Sequence, residues 1–348
     1  MNNSERLLSA FSEDYFFKEL VFDDLCFVPE GGTKIELADL IINLKDIIIA
    51  IQLKERNPEE QTFDDKSENK WLQNKCKVAK KQVKQTMQLL SSGELPAFKN
   101  KRGQEISFQR DAKVIPLVVF ENQHIDKYPH LLKRHSDNSI DVNCMSFEDY
   151  VEMCKTLISP IEIVAYLEYR QRIYKDNSEI DIMIFDGVGD ELIITKPMRQ
   201  ESLVMQFLAE VYGVGKAEKQ NPALQYFRSF LHKLPEHTKS TYIEKDTYSI
   251  LLFLAHMNRQ EMDAFWDNLI ATKEENEKGI KGILHSLRRG DNEFAVLFIS
   301  GIIRPIDEIL PIVRKTAEVK RILEVAIYHV SAKEFAIDFL YWDNTQDS

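Results

Sequence analysis

The stretch DLIINLKDIIIAIQLKER (39–56) constrains the fold more than any other. Two apolar runs are separated only by Lys45 and Asp46, and the second, IIIAI, is apolar at five consecutive positions. A strand covered on both faces reads this way, whereas a half-exposed strand alternates. The pattern predicts a hairpin with strands at 35–44 and 47–54. If Lys45 and Asp46 form the loop, the numbers of opposed residues sum to 91, so Asp39 faces Gln52 and Leu37 faces Lys54. Side chains alternate along a strand, so Gln52 and Lys54 share a face, and Asp39 joins them there. Directly opposed Cβ atoms lie roughly 5 Å apart. An acid, an amide and an ammonium should therefore meet on one small patch. Lys-Asp is a poor two-residue turn, so a four-residue loop or a bulge is the alternative register.

Taken alone, Asp39 and Lys54 are ordinary charges at strand ends. The neighbouring segments give them context. Residues 4–20 have helical spacing, with Ser4 as the cap; 29–33 (PEGGT) is a turn; 57–70 is loop-like; 71–90 is a helix. KVIPLVVFEN (113–122) is a buried strand and 139–146 a shorter one. A helix then starts after Ser146 as N-cap. The helix at 159–181 leaves this unit. The second half carries IDIMIF and ELIIT around DGVGD, a predicted hairpin, and then a helix at 200–212. Strand-like TYSILLFLA, FAVLFIS, ILEVAIYHV and FAIDFLYW alternate with helical patterns at 259–288 and 305–319. Two α/β domains are expected, 1–172 and 180–348.

Composition limits the function. With 44% apolar and 29% charged residues the chain reads as globular. No apolar run approaches the roughly 20 residues of a membrane helix, so no membrane partner is expected. The N-terminus lacks a basic-then-apolar leader pattern. The four scattered cysteines contain no CxxC pair, which fits reduced thiols and a cytoplasmic location rather than a disulfide framework or a zinc cluster. The net charge of −11 argues against a protein coated in nucleic acid. One segment departs from it. Between Lys66 and Arg102 ten basic residues face only Glu68 and Glu94, a local balance of +8. Lys77, Lys81 and Lys84 recur at intervals of four and three and line one helix face.

Asp39, an intervening hairpin and then Gln52-Leu53-Lys54 resemble the core of the PD-(D/E)XK nuclease superfamily, over residues 10 to 150. Its signature is an Asp on one strand and an acid-x-Lys on the next, between two helices. The resemblance implies a restriction-endonuclease-like αβββαβ domain with a mixed sheet flanked by helices, 21–28 being its first strand. Gln52 stands where an acid is usual, similar to a variant among enzymes that cut methylated DNA; the change weakens the hold on a divalent ion. Carried over, Asp39, the Gln52 amide oxygen and the Leu53 carbonyl would bind Mg2+ (or Mn2+), and Lys54 would orient the attacking water. Glu19 would add a carboxylate, with Glu13 and Asp14 weaker candidates; Glu36 has the wrong parity on a regular strand. Lys77, Lys81, Lys84, Gln82 and Gln85 would contact nucleic acid, DNA first. The resemblance implies phosphodiester hydrolysis. An appended second domain suggests a role in restriction or phage defence. The Gln52 substitution keeps open a non-catalytic subunit of the same fold, and a dimerising regulator is a third possibility.

The second domain is expected to recognise a partner, a nucleic-acid feature or another copy of the chain, a protein partner ahead of DNA because Glu274, Glu275, Glu277, Asp291 and Glu293 make it acidic. The histidines at 124, 130 and 135 have no Cys or carboxylate set nearby to complete a metal site. DGVGD opens no helix, unlike a phosphate-cradling loop. No GxSxG elbow is present. Cys76 and Cys144 read as small buried apolar residues.

Overall fold

The computed structural model describes residues 2–29, 32–56, 65–121, 142–176, 183–185, 194–197, 200–213, 229, 244–289, 294–301, 319–329 and 335–343. The chain divides into two units, Met1–Gln220 and Asn221–Ser348. The fold is mixed α/β, with a five-stranded mixed sheet flanked by helices in the first unit and a second sheet in the other.

In the first unit, α1 (Asn3–Phe16) leads into β1 (Val21–Asp23), β2 (Cys26–Phe27), β3 (Ile35–Glu36), β4 (Leu40–Asn43) and β5 (Ile47–Glu55). Helix α2 (Asp65–Ser92) crosses over, through the short pair β6 (Phe98–Lys99) and β7 (Glu105–Ile106), to β8 (Lys113–Glu121). Then come β9 (Asn143–Ser146), α3 (Phe147–Thr156) and α4 (Pro160–Asp176). The sheet order is β1-β4-β5-β8-β9, antiparallel on the β1 side and parallel from β5 to β9.

Strand β5 lies at the centre and is buried along most of its length, as its unbroken apolar run requires. On one face α2 seats Leu72, Cys76, Ala79 and Val83 against Val118, Phe120 and Cys144. Full burial of such aliphatic side chains contributes roughly 1.5–3 kcal/mol each relative to exposure. A second cluster, with Phe22, Leu37, Ile41, Ile48 and Leu90, covers the other end of α2. The Thr86 hydroxyl donates to the Leu37 carbonyl and ties α2 to the chain just before Asp39. Helix α1 packs on β1 and β4, and its Ser12 hydroxyl meets that of Tyr150 on α3 at 2.8 Å.

The hairpin keeps the two-residue loop. Leu44 N donates to Ile47 O (2.8 Å), and the register runs Leu40 to Ile51, Ile41 to Ala50 and Ile42 to Ile49. Lys45 takes the left-handed backbone (φ 73°) that such a loop demands, and its N–H donates to Asn43 Oδ1.

Several elements differ from the sequence reading. Helix α1 is capped by Asn2 rather than Ser4, through a reciprocal pair with Glu5, and it stops at Phe16, since Phe17 has φ 65°. Helix α2 starts at Asp65, inside the stretch read as loop. The 35–44 strand is two short strands, β3 and β4, separated by a bend. Ser146 does cap α3, accepting from Asp149 N.

β10 (Met183–Phe185) and β11 (Ile194–Pro197) pair antiparallel, as the hairpin reading expected. Helix α5 (Gln200–Tyr212) packs on α3 and α4: Phe207 meets the rings of Tyr166 and Tyr169, and the Tyr169 hydroxyl donates to Glu210 (2.8 Å). The first unit runs to Gln220, past the 172/180 boundary expected from the pattern of strands and helices.

The second unit has α6 (Glu244–Ala255), α7 (Arg259–Glu277) and a sheet of β12 (Gly282–Arg289), β13 (Phe294–Gly301), β14 (Arg321–His329) and β15 (Phe335–Asp343), in that order. The β13–β14 pair is parallel, and the β12–β13 and β14–β15 pairs are antiparallel. TYSILLFLA, read as a strand, is part of α6, and the 259–288 helix ends at Glu277 with β12 following. A short apolar run suits a buried helix as well as a strand, and here tertiary packing decided. The histidines 124, 130 and 135, the DGVGD turn and all of the 305–319 pattern but its last residue lie outside the described residues. Among the described residues no helix is long and apolar enough to cross a membrane.

Candidate functional site

Asp39 occupies the bend immediately before β4. The Leu44–Ile47 bond sets the parity of the hairpin, so the next bonded partner of Leu53 would be the Ala38 carbonyl. The ladder stops short of it. Leu53 N instead donates to Asp39 Oδ2 at 2.6 Å, and a side-chain carboxylate takes the place of a ladder carbonyl.

Lys54 folds its ammonium back over the same point. Its Nζ lies 2.8 Å from the Leu53 carbonyl oxygen, 3.3 Å from Gln52 Oε1 and 3.6 Å from Asp39 Oδ2. The Asp39 and Lys54 side chains are each 11% exposed, and Gln52 is 4% exposed. Three hard oxygens thus converge on one cationic centre at the end of the central strand. Beside them opens a cleft of about 430 Å³, lined by Gln52, by Glu36 and Leu37, and by Gln82, Gln85 and Gln88 of α2. The buried Gln82 Oε1 has no hydrogen-bond partner among the described residues.

The electrostatics follow from burial. Desolvation raises the pKa of Asp39; the Lys54 charge and the Leu53 N–H act against it, and Glu5 adds to it. Desolvation lowers that of Lys54, against the pull of Asp39, and Lys75 pushes the same way. Glu36 is raised by burial and then by the charges of Asp39, Glu5 and Asp24. Several carboxylates crowd one ammonium, an arrangement that favours added positive charge.

The structure therefore brings Asp39, Gln52, Leu53 and Lys54 together. Glu19 is not among them. It lies beyond the end of α1, 1% exposed, and its carboxylate is ion-paired with Arg102, while its carbonyl accepts from Asn100 Nδ2. Glu13 pairs with Lys101 at 3.0 Å. The acids that act on the patch are Glu36 and Glu5. The parity argument against Glu36 presumed a regular strand from 36 to 39, and the bend at Asp39 removes that premise. Glu5 could have been read as the fourth residue of an Asn2-x-x-Glu5 capping box, but nothing local ties it to Asp39.

On α2, Gln82 and Gln85 reach the cleft. Lys77, Lys81 and Lys84 are exposed, and none of them lines it. The α2 lysine whose charge reaches Lys54 is Lys75, which also stacks over Trp71.

A divalent ion suits the donor set in kind: carboxylate, amide and carbonyl oxygens are the ligands that Mg2+ and Ca2+ prefer. It suits it less well in charge, for among the described residues no three His, Cys, Asp or Glu side chains gather in a metal-holding group. No protein-family model, no curated protein and no solved structure matches this chain.

Proposed function

We propose that the first unit is a restriction-endonuclease-like nuclease domain that hydrolyses phosphodiester bonds with the help of Mg2+ or Mn2+. The observation that carries this reading is the convergence of Asp39 Oδ2, Gln52 Oε1 and the Leu53 carbonyl on one cationic point beside an open cleft. The strand order supports it: α1, the antiparallel β1-β4-β5 strands, α2 and the parallel β8 fit the αβββαβ order and mixed sheet that the resemblance implies.

Asp39, Gln52 and the Leu53 carbonyl would hold the ion. When bound, such an ion supplies charge neutralisation at phosphate and a water of lowered pKa. The remaining roles belong to the chain. Lys54 holds the attacking water and stabilises charge on the phosphoryl oxygens. Gln82 and Gln85 offer amide hydrogen bonds to the sugar-phosphate backbone along the cleft. Lys77, Lys81 and Lys84, on the exposed face, attract the polyanion without reading bases. A role in restriction or phage defence, with the second unit recognising a protein partner or another copy, completes the proposal.

One observation favours a second reading, a non-catalytic subunit that binds nucleic acid. The ammonium sits within the oxygen cluster, and Gln52 brings no charge to it. Incubation of plasmid and single-stranded substrates with Mg2+ or Mn2+ separates the two. Cleavage by the native chain that is lost in both Asp39→Ala and Lys54→Ala supports the enzyme. Binding without cleavage by any form under either metal supports the subunit.

A further inference from the structure

We propose that Lys54 fills the ion's seat in the free protein, so that a divalent ion binds only by displacing the ammonium. The inference rests on the reading of this patch as a divalent-ion site and adds how that site is loaded.

An ammonium has three N–H donors and no acceptor. Lys54 Nζ faces three oxygens, those of Leu53, Gln52 and Asp39, at 2.8, 3.3 and 3.6 Å. These are the groups expected to ligate the ion. Two cations held against the same oxygens repel strongly in so enclosed a place, and the Lys54 and Asp39 side chains are each only 11% exposed. Occupancy is therefore exclusive. The spacing agrees: Mg2+ requires oxygens at roughly 2.0–2.1 Å, whereas these stand open at ammonium distances. Loading means that Lys54 leaves and the oxygens close in.

Lys54 needs somewhere to go, because an ammonium withdrawn from three oxygens loses its partners. A phosphate offers replacement acceptors beside the cleft. Ion and substrate are then linked: the phosphodiester draws Lys54 outward, and the vacated oxygens take the ion. A free protein with a self-occupied seat holds divalent ions weakly, and cleavage is confined to encounters in which both arrive. Neighbouring charges act on the same balance. Asp39 and Glu36 hold the ammonium in place, while Lys75 works against it.

The test is Mn2+ binding to the full chain without nucleic acid, read by calorimetry and by the electron-spin-resonance signal of free Mn2+. Four substitutions accompany the native chain. Lys54→Met empties the seat, and Lys54→Gln does so with a polar end. Lys75→Met removes a nearby positive charge without emptying it, and Asp39→Asn weakens the seat itself. Melting curves establish that each is folded. Both Lys54 variants should bind Mn2+ at least about tenfold more tightly than the native chain, roughly 1.4 kcal/mol. Lys75→Met should stay within about threefold, because a charge outside the cluster is screened. Equal affinity in the native and Lys54 variants, abolished by Asp39→Asn, would overturn displacement while leaving the ion site intact. Tightening of the same size in Lys75→Met would overturn it too, by assigning the effect to net charge. Absence of Asp39-dependent Mn2+ binding in every form would remove the ion site, and the inference with it.

Discussion

Each unit has parallel strands at its centre, β5–β8–β9 in the first and β13–β14 in the second, joined to antiparallel strands on the β4 side in the first unit and on both sides in the second. Both sets are mostly apolar, and both carry a few buried polar side chains. In the second unit the Ser300 hydroxyl of β13 is engaged inward, donating to the Ile280 carbonyl and accepting from α7. Asn276, on α7, donates through Nδ2 to Ser300 Oγ (2.8 Å), the Gly301 carbonyl (2.9 Å) and the Ile327 carbonyl (3.2 Å), which pins the helix to the ends of both strands. In the first unit the polar residues stand where the ladder has stopped, and Gln52 opens on a cleft. The difference is one of backbone. A polar residue beside an intact ladder serves the fold. One beside an interrupted ladder leaves its neighbours' groups facing outward, where a ligand can use them.

The largest expected effect is on the activity proposed for the first unit. Asp39→Asn keeps an oxygen to accept from Leu53 N but withdraws the carboxylate from the largely buried Lys54 ammonium, so the fold should persist with its melting transition lowered by roughly 1–3 kcal/mol. Loss of the carboxylate charge should reduce cleavage by about 10³-fold, roughly 4 kcal/mol of barrier. Cleavage within a few-fold of native would remove Asp39 from the chemistry. The second unit should behave in the opposite way. Asn276→Leu leaves the Gly301 and Ile327 carbonyls without this donor, at a cost of about 2–3 kcal/mol to folding. Nuclease activity at low temperature should be unchanged. A cleavage defect in folded Asn276→Leu would show that the two units are not separable in function.

The hairpin was legible in the sequence because only Lys45 and Asp46 part the two apolar runs, and Asp39, Gln52 and Lys54 followed from the two-residue loop. The four-residue loop or bulge stayed open until the Leu44–Ile47 bond closed the tighter turn. Glu5 and Glu36 were not legible. Their approach depends on where α1 begins and on the bend before β4, neither of which leaves a periodic signal. Glu19 was misplaced because α1 was carried through Phe17, whose positive φ nothing in SEDYFFKEL announces. In the second unit TYSILLFLA was read as a strand, since nine apolar-rich residues fit either a buried helix or a strand.

A middle-sized effect divides the two flanks of α2. Gln82 lines the cleft and Lys81 does not. Gln82→Leu should weaken nucleic-acid binding by about 1 kcal/mol at any salt concentration, as the loss of a neutral hydrogen bond does. Lys81→Ala should instead lower the slope of log affinity against log salt by up to about 0.9. If Gln82→Leu alters only the salt slope, or Lys81→Ala leaves it unchanged, the roles given to the two flanks are reversed or absent.

The smallest effect concerns an ion pair confined to the first unit. Lys101 Nζ reaches Asp23 Oδ2 at 2.6 Å and Glu13 at 3.0 Å, and Ser9 also donates to Asp23. Burial alone would raise Asp23, but the hydrogen bonds from Lys101 and Ser9 and the Lys101 charge hold it below the ordinary carboxylate value of 3.8. Burial would lower Lys101, but Asp23 and Glu13 carry it above 10.5. Stability from a depressed carboxyl is present above its unfolded pKa and lost as pH falls through the folded one. Stability from a raised ammonium is present below its unfolded pKa and lost as pH rises through the folded one. The pair therefore contributes across the range between, and fades from about pH 4 downward and above pH 10.5. Both side chains are partly exposed, which limits the gain to about 1 kcal/mol or less. Asp23→Asn should lower the first unit's melting transition slightly at neutral pH and flatten its acid dependence, leaving the second unit's transition unmoved. An acid dependence unchanged by Asp23→Asn would assign the acid sensitivity of the first unit to other carboxylates.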